Sequence, residues 1–203
     1  MSDFILVTGG ARSGKSHFAE LLAAYPQKPV IYVATAQVYD EEMAVRVKKH
    51  QEQRPSHWGL VEEPLDLPEV LEKNRHTDGV ILVDCVTLWL TNMLLANYPD
   101  ESTLSKEEFS RAIEELEHSI LERVQQAGRL AQEITPQVIM VTNEVGAGIV
   151  PDNPLSRIYR DMAGRANQVL GRIATKVYNV VAGYPTEIKA QGQVLLDSLK
   201  RGQ

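Results

Sequence analysis

The chain has 203 residues, of which 43% are hydrophobic and 24% are charged. A chain of this length can bury about 70% of its unfolded surface, so we expect residues 1–203 to form a single domain. The single cysteine, Cys85, excludes an intramolecular disulfide and a multi-cysteine zinc site. A net charge of -6 argues against non-specific binding to nucleic acid or to an anionic membrane. No apolar run approaches the ~20 residues of a membrane span, and the first residues form no signal peptide, so we expect a soluble, cytoplasmic protein.

Short apolar runs alternate with helical patterns along the chain. These runs do not alternate with polar residues, which indicates strands that are buried on both faces. Strands that alternate with helices in this way predict an α/β fold with a parallel sheet and helices on both faces. The predicted strands are Phe4–Val7, Val30–Val33, Val80–Val83, Val138–Val141 and Val177–Val181.

Two helices have clear start signals. Ser105 and Glu108 form a capping-box pattern, and apolar residues follow at helical spacing from Phe109 to Val124. Asn153 with Pro154 predicts the N-cap and first position of a second helix. The polar stretch 97–105 is interpreted as a surface loop.

The segment after the first strand matches the phosphate-binding pattern G-x-x-x-x-G-K-[ST] in full. Its glycines let successive backbone N–H groups point at phosphate oxygens, at the start of a helix from about Gly14 to Leu22. Lys15 should reach the β- and γ-phosphates, and the Ser16 hydroxyl should bind Mg²⁺. A glycine-rich turn without a ligand is the alternative. With the predicted sheet, the pattern indicates a P-loop NTPase-type three-layer fold whose nucleotide-binding residues are Gly9, Gly10, Ala11, Arg12, Ser13, Gly14, Lys15 and Ser16.

Asp84 ends an apolar strand, at the sheet edge where Mg²⁺ needs a carboxylate. An ordinary strand-ending residue is the alternative. Cys85 follows it in place of the water-activating glutamate of motor-type ATPases. Switch GTPases read guanine with the tetrapeptide N-K-x-D. The most similar segment of this chain, Thr142–Val145, does not match that pattern. These differences favour group transfer to a second substrate over hydrolysis.

Arg46, His50 and Arg54 fall at i, i+4 and i+8, which places them on one face of a helix. Neighbouring cations lower the pKa of an imidazole and so favour its neutral, nucleophilic form. The same cations could hold a triphosphate. Taken alone, this stretch is more typical of a solvated basic face.

The motifs in combination are more specific than any one of them. In this order, they resemble the bifunctional adenosylcobinamide kinase/adenosylcobinamide-phosphate guanylyltransferase family of cobalamin biosynthesis, over nearly the whole chain. The matching segments are Gly9–Ser16, which we call the phosphate loop, Val33–Gln37, Glu42–Met43, the Arg46–Trp58 stretch, Val83–Cys85 with Thr91–Asn92, Thr142–Pro151 and Arg157–Asn167.

This resemblance implies two reactions. The hydroxyl of adenosylcobinamide takes the γ-phosphoryl group of ATP or GTP, and the adenosylcobinamide phosphate then takes GMP from GTP through a GMP–histidine intermediate. By its place in the motif, that histidine is His50, and His57 is the alternative candidate. The resemblance also implies Mg²⁺ as cofactor and a homo-oligomer, with a trimer suggested. Further implied nucleotide contacts are Ala34, Thr35, Ala36, Gln51, Glu52, Gln53, Arg54 and Glu62.

Several interpretations stay open at this stage. Glu62 could read guanine or be a surface acid, and Gly146–Gly148 could form a mobile loop or a tight turn. Arg157, Asp161 and Arg165 form a stripe that is either a salt-bridged surface or a contact to phosphate or to another subunit. The alternative functions are a P-loop kinase for another small molecule and a GTP-binding regulatory protein. The sequence does not decide between ATP and GTP as phosphoryl donor, nor whether the kinase activity is retained.

Overall fold

Within residues 3–37 and 55–201, which the computed structural model describes, the backbone is built around a seven-stranded sheet. The strand order is β3-β2-β4-β5-β1-β6-β7, and all neighbours are parallel except β6 and β7. The five predicted strands are confirmed, and β3 and β7 extend the sheet at its two edges. The strands are β1 Phe4–Thr8, β2 Val30–Ala34, β3 Gly59–Glu62, β4 Val80–Asp84, β5 Gln137–Val141, β6 Lys176–Val181 and β7 Tyr184–Glu187.

The central strands are buried on both faces, as their continuous apolar runs predict. Phe4 and Leu6 belong to one apolar cluster, whereas Ile5 and Val7 belong to the other, on the opposite face of the sheet. Helix α1 covers the second cluster, and α2 to α5 cover the first. The three-layer α/β prediction is therefore confirmed. The helices are α1 Lys15–Ala24, α2 Leu67–Lys73, α3 Val86–Ala96, α4 Lys106–Glu133, α5 Pro154–Ile173 and α6 Lys189–Arg201.

The two predicted start signals are confirmed. The Ser105 hydroxyl accepts from the Glu108 N–H, and the Glu108 carboxylate accepts from the Ser105 N–H, so the capping box is complete. The Asn153 side chain accepts from the Ser156 N–H at 3.1 Å, with Pro154 at the first helical position. The predicted loop before Ser105 holds one short 3-10 turn, Glu101–Thr103, which is exposed.

Two arginines of the stripe on α5 make contacts within the chain. The Arg165 guanidinium lies 2.8 Å from the Glu117 carboxylate on α4. The Arg157 guanidinium donates to the carbonyl oxygens of Pro151 and Asp152, just before the helix. The ion pair of Arg165 favours the interpretation as a salt-bridged surface, whereas Arg157 bonds only to backbone oxygens.

The strand order brings the predicted site residues to one edge of the sheet. β5 lies between β4 and β1, so the chain leaving β5 emerges between Asp84 and the loop that follows β1. Ala34, Asp84 and Val141 are in register on neighbouring strands, and Glu62 is in register with Ala34. Ligands of open α/β sheets bind at this carboxyl edge. Among the helices of the described ranges, none is both long and apolar enough to cross a bilayer.

Candidate active site

The loop from β1 to α1 has a backbone that requires glycine at two positions. Gly9 has φ +153° and Gly14 has φ +94°, which other residues rarely adopt. A Cβ at Gly9 would lie 2.5 Å from the carbonyl oxygen of Val180, and a Cβ at Gly14 would lie 3.1 Å from the Cα of Gly183. Since both obstacles are backbone atoms, a side chain at either position would displace the loop.

The segments that follow β5 and β6, the two strands beside β1, hold this loop by backbone hydrogen bonds. The Glu144 N–H, beyond β5, donates to the Gly9 carbonyl oxygen at 3.1 Å. The Gly183 N–H, in the turn after β6, donates to the Ser13 carbonyl oxygen at 2.8 Å. A loop that is held before a ligand arrives loses less conformational entropy on binding.

Lys15 begins α1 and folds back over the loop. Its Nζ donates to the Gly10 carbonyl oxygen at 3.2 Å, and the residue is only 9% exposed. Burial lowers the pKa of Lys15, whereas the electrostatic effects of Cys85 and Asp84 oppose that shift. The sequence-predicted cation and carboxylate therefore lie close enough to interact.

Buried polar atoms without hydrogen-bond partners concentrate around the loop. In the described part of the chain, such atoms include Thr8 Oγ1, Ser13 Oγ and Asn143 Oδ1, and these three residues lie at the carboxyl edge of β1 and β5. Buried polar atoms are nearly always paired, so a group of exceptions calls for an explanation such as a ligand site. Their position supports the ligand-binding interpretation over a turn without a ligand.

The Asp84 carboxylate is oriented by β2. The Tyr32 hydroxyl donates to Asp84 Oδ2 at 3.1 Å. A carboxylate and the Ser16 hydroxyl are the hard oxygen donors that Mg²⁺ prefers, usually together with substrate phosphates. No group of three or more His, Cys, Asp or Glu residues in the ranges 3–37 and 55–201 could hold a metal by itself. The hard oxygen donors of Ser16 and Asp84 fit Mg²⁺, with nucleotide phosphates as its further ligands.

The segment after β2 is tied to β4 and α3 by buried side chains. The Thr35 hydroxyl donates to the Cys85 carbonyl oxygen at 2.7 Å and accepts from the Cys85 N–H at 2.9 Å. The Asn92 amide donates to the carbonyl oxygens of Thr35 at 2.7 Å and of Pro64 at 3.0 Å. These bonds position residues 34–36, whose contact with a nucleotide stays a prediction. Glu62 is exposed at the end of edge strand β3, and its role as guanine reader also stays a prediction.

Sequence reasoning missed a second polar network at this edge, which is centred on Thr87 of α3. The Asn143 amide donates to the Thr87 hydroxyl at 3.2 Å, and the Tyr159 hydroxyl donates to the Thr87 carbonyl oxygen at 3.1 Å. Asn167 links to both Asn143 and Thr142. The signal in the sequence was polar residues inside apolar elements, such as Thr87 in Val86–Ala96. The network positions the start of the loop after β5.

Cys85 should be unreactive in the folded protein. Burial, with a smaller contribution from the Asp84 charge, raises the pKa of its thiol from 9.0 to about 11. Because the thiolate is the nucleophile, iodoacetamide at pH 8 should leave native Cys85 unmodified and should alkylate it fully in denaturant. Mass spectrometry of the intact protein measures both. Rapid stoichiometric alkylation of the native protein would contradict this assignment.

The predicted residues His50, Gln51, Glu52, Gln53 and Arg54 lie outside the described residues. His57 lies within the described residues and is exposed. The turn that contains it is closed by a hydrogen bond from the Trp58 N–H to the Pro55 carbonyl oxygen at 3.1 Å. The choice of His50 over His57 stays a prediction.

Residues 5–188 match the model of the family described as cobinamide kinase / cobinamide phosphate guanyltransferase. The bifunctional adenosylcobalamin biosynthesis protein CobU of Escherichia coli K12 is 40% identical over 185 residues, which are 91% of this chain and 99% of the relative. The protein of the same name from Salmonella typhimurium is 42% identical over 190 residues, with the same coverage of 91% and 99%.

Among solved structures, that of the RadB recombinase aligns with 87% of this chain and 73% of its own, with a TM-score of 0.42 and 15% sequence identity. The family match and the relatives together cover the phosphate loop, Asp84 and the segment after β5. The chain belongs to the cobinamide kinase / cobinamide phosphate guanyltransferase family.

Proposed function

We propose that this protein phosphorylates adenosylcobinamide and then transfers GMP from GTP to the resulting phosphate. The observation that carries the proposal is the match to the family over residues 5–188. The phosphate loop with buried Lys15 beside Asp84 supports it, because both reactions need a positioned nucleotide and neutralised phosphate charge.

In the kinase step, the hydroxyl oxygen of the aminopropanol arm attacks the γ-phosphorus of ATP or GTP. A new P–O bond forms, the nucleoside diphosphate leaves with the electrons of the broken bond, and the hydroxyl proton is released. The loop N–H groups and the Lys15 ammonium stabilise negative charge on the phosphates. Ser16 and Asp84 would hold Mg²⁺, which supplies further charge neutralisation when it is bound.

In the transferase step, an imidazole nitrogen of His50 attacks the α-phosphorus of GTP. A P–N bond forms, pyrophosphate leaves, and the imidazole proton is released. A phosphate oxygen of adenosylcobinamide phosphate then attacks the same phosphorus and forms a new P–O bond. The P–N bond breaks with its electrons returning to the imidazole, which takes up a proton, and adenosylcobinamide-GDP is released. Imidazole suits this role because its ordinary pKa of about 6.5 leaves it largely neutral at pH 7.

The remaining roles within this proposal concern nucleotide recognition. Ala34, Thr35 and Ala36 contact the nucleotide, as do residues 51–54, and Glu62 reads guanine with its carboxylate. Arg12, which is exposed on the phosphate loop, and Arg54 add positive charge. The loop position of Arg12 and the register of Glu62 with Ala34 support these assignments.

We further infer that residues 1–203 act as one cytoplasmic domain that assembles into a homo-oligomer, for which the family resemblance suggests a trimer. The inclusion of β1 to β7 in one sheet supports a single domain. The size of the corrinoid supports assembly, because a groove between subunits accommodates a large acceptor more easily than one small domain does.

Labelled GTP tests this function. The purified protein is incubated with Mg²⁺ and GTP labelled on the α-phosphate and is then denatured. We expect retained label that is acid-labile, stable to base and located on the His50 peptide. Label on the γ-phosphate should pass to adenosylcobinamide.

The outcomes separate the alternative functions. A kinase for another small molecule would bind nucleotide without retaining α-label and would leave adenosylcobinamide unmodified. A GTP-binding regulatory protein would bind GTP stoichiometrically and transfer nothing. Either result would overturn the proposed function.

A further inference from the structure

The turn between β6 and β7 lies against the phosphate loop. Its two residues, Ala182 and Gly183, both have positive φ, which makes it a tight hairpin turn. The Gly183 N–H donates to the Ser13 carbonyl oxygen at 2.8 Å, and the Gly183 Cα lies 3.1 Å from the position of a Cβ on Gly14. The turn and the loop are therefore in backbone contact. A residue next to Gly183 stands beside any nucleotide whose phosphates occupy the loop.

The residue after Gly183 is an exposed tyrosine. Tyr184 is 80% exposed, and Val181, which is directly opposite it in the β6–β7 pair, is 63% exposed. Residues that are opposite each other on antiparallel strands have their side chains on one face, so these two form a continuous apolar surface. We call this pair the hairpin patch. A single exposed apolar residue is ordinary, but an apolar surface in backbone contact with a phosphate loop is placed to bind the rest of the nucleotide.

The strand order determines which end of a nucleotide lies near the hairpin patch. β1 lies between β5 and β6, and Asp84 ends β4, on the far side of β5. Because Lys15 and Asp84 interact electrostatically, the β- and γ-phosphates belong on the β5 side of the loop. The α-phosphate, the ribose and the base then extend toward β6, where the hairpin patch lies. This step rests on the proposed function, which assigns Mg²⁺ and the transferred phosphoryl group to Asp84 and Lys15.

We propose that the ring of Tyr184 stacks on the purine base of the nucleoside triphosphate that donates the phosphoryl group. A tyrosine ring offers a large apolar face at a low cost in side-chain entropy, and a purine offers a π face that matches it. Val181 adds apolar area beside the ring. Stacking uses the face of the base and not the atoms at its edge, so this contact accepts adenine and guanine alike.

Nucleotide binding tests the stacking contact without turnover. Tyr184→Ala should weaken binding of the β,γ-imido analogue of ATP about tenfold in the presence of Mg²⁺, because the aromatic face is lost. Tyr184→Phe keeps that face and should bind the analogue within about twofold of the wild type. Isothermal titration calorimetry measures both affinities, and the KM for ATP in the kinase assay should change in parallel.

Inorganic tripolyphosphate distinguishes stacking from a disturbed phosphate loop. It carries the phosphates but no base, so Tyr184→Ala should bind it within about twofold of the wild type. An equal loss of affinity for tripolyphosphate and for the ATP analogue would mean that the substitution acts through Gly183 and the loop. That result would overturn the stacking proposal.

Tyr25→Ala is the matched control. Tyr25 is 86% exposed, but it lies ten residues beyond Lys15, or about 15 Å along α1, at the end remote from the phosphate loop. Its replacement should leave binding of the ATP analogue unchanged. If Tyr184→Ala weakens binding no more than this control does, the stacking proposal is wrong.

Light scattering on the same variants tests a second copy of the chain as the occupant of the hairpin patch. Tyr184→Ala should keep the oligomeric state of the wild type. A changed oligomeric state with unchanged affinity for the ATP analogue would assign the patch to contact between subunits and would overturn stacking.

Failure of the stacking proposal is distinguishable from failure of the proposed function. In the first case, the wild type modifies adenosylcobinamide, and Tyr184→Ala binds the ATP analogue as the wild type does. In the second case, the wild type transfers neither phosphoryl nor GMP to adenosylcobinamide. Binding of the analogue needs no acceptor, so its selective loss in Tyr184→Ala would still assign the base to Tyr184.

Discussion

Replacing His50 with asparagine should reduce GMP transfer to adenosylcobinamide phosphate by at least about a thousandfold. Asparagine has no basic ring nitrogen, so the covalent route through a P–N bond is lost and only direct displacement remains. The same variant should retain phosphoryl transfer to adenosylcobinamide within a few fold, because we propose that this step depends on Lys15 and Asp84. Parallel assays with α-labelled and γ-labelled GTP measure both steps on one preparation.

His57→Asn is the matched control for this substitution. His57 is exposed in the turn that ends at Trp58, so its replacement should leave both activities and the retained α-label near the wild-type level. Full guanylyltransferase activity in His50→Asn would disprove the assignment of His50. Loss of the label in His57→Asn alone would transfer the role to that residue.

The strands that were predicted from the sequence are those whose own residues indicate burial on both faces of the sheet. Phe4–Val7 and Val80–Val83 are continuously apolar because both of their faces are buried, and this pattern needs no knowledge of the neighbours. Strand β7, Tyr184–Glu187, carries no such pattern because it is an edge strand with mostly exposed side chains and a proline. Its place in the sheet depends on antiparallel pairing with β6 across the two-residue turn Ala182–Gly183, and both of these residues have positive φ.

In the candidate site, too, features encoded within one short segment were predicted, whereas contacts between distant segments were not. The phosphate loop was predicted because Gly9 and Gly14 meet a backbone requirement within eight consecutive residues. The contact of Thr35 with Cys85 spans 50 residues, and that of Asn143 with Thr87 spans 56. Such pairs are brought together only by the strand order. Sequence reasoning therefore named Thr35 as a nucleotide contact but did not predict its bond to Cys85 or the bond of Asn143 to Thr87.

Replacing Lys15 with methionine should reduce phosphoryl transfer by at least about a thousandfold while leaving the protein folded. The ammonium group is proposed to stabilise charge that develops on the transferred phosphoryl group, and methionine offers a side chain of similar length without charge. The structure also predicts the effect on stability. Burial lowers the pKa of Lys15, so the charged form is disfavoured there, and an apolar replacement should leave the melting temperature equal or higher.

Lys28→Met supplies the comparison for a lysine outside the site. Lys28 Nζ lies 2.7 Å from an Asp78 carboxylate oxygen, and both side chains are at least half exposed. Exposed ion pairs contribute about 0–1 kcal/mol, so this variant should keep full activity and nearly the same melting temperature. Activity assays and thermal unfolding on both variants provide the measurement. Loss of folded structure in Lys15→Met, or more than about a tenth of wild-type phosphoryl transfer, would contradict the proposed role.

The Lys15 and His50 variants together test whether one phosphate loop serves both reactions. If Lys15 neutralises phosphate charge in both steps, Lys15→Met should also reduce the yield of α-labelled protein, whereas His50→Asn should affect GMP transfer alone. A mixture of the two variants should show only the sum of their separate activities. Activity above that sum would mean that the subunits of an oligomer complete one another's sites. Normal α-labelling in Lys15→Met would instead mean that GTP for the transferase step is held by other residues, and the loop would belong to the kinase step only.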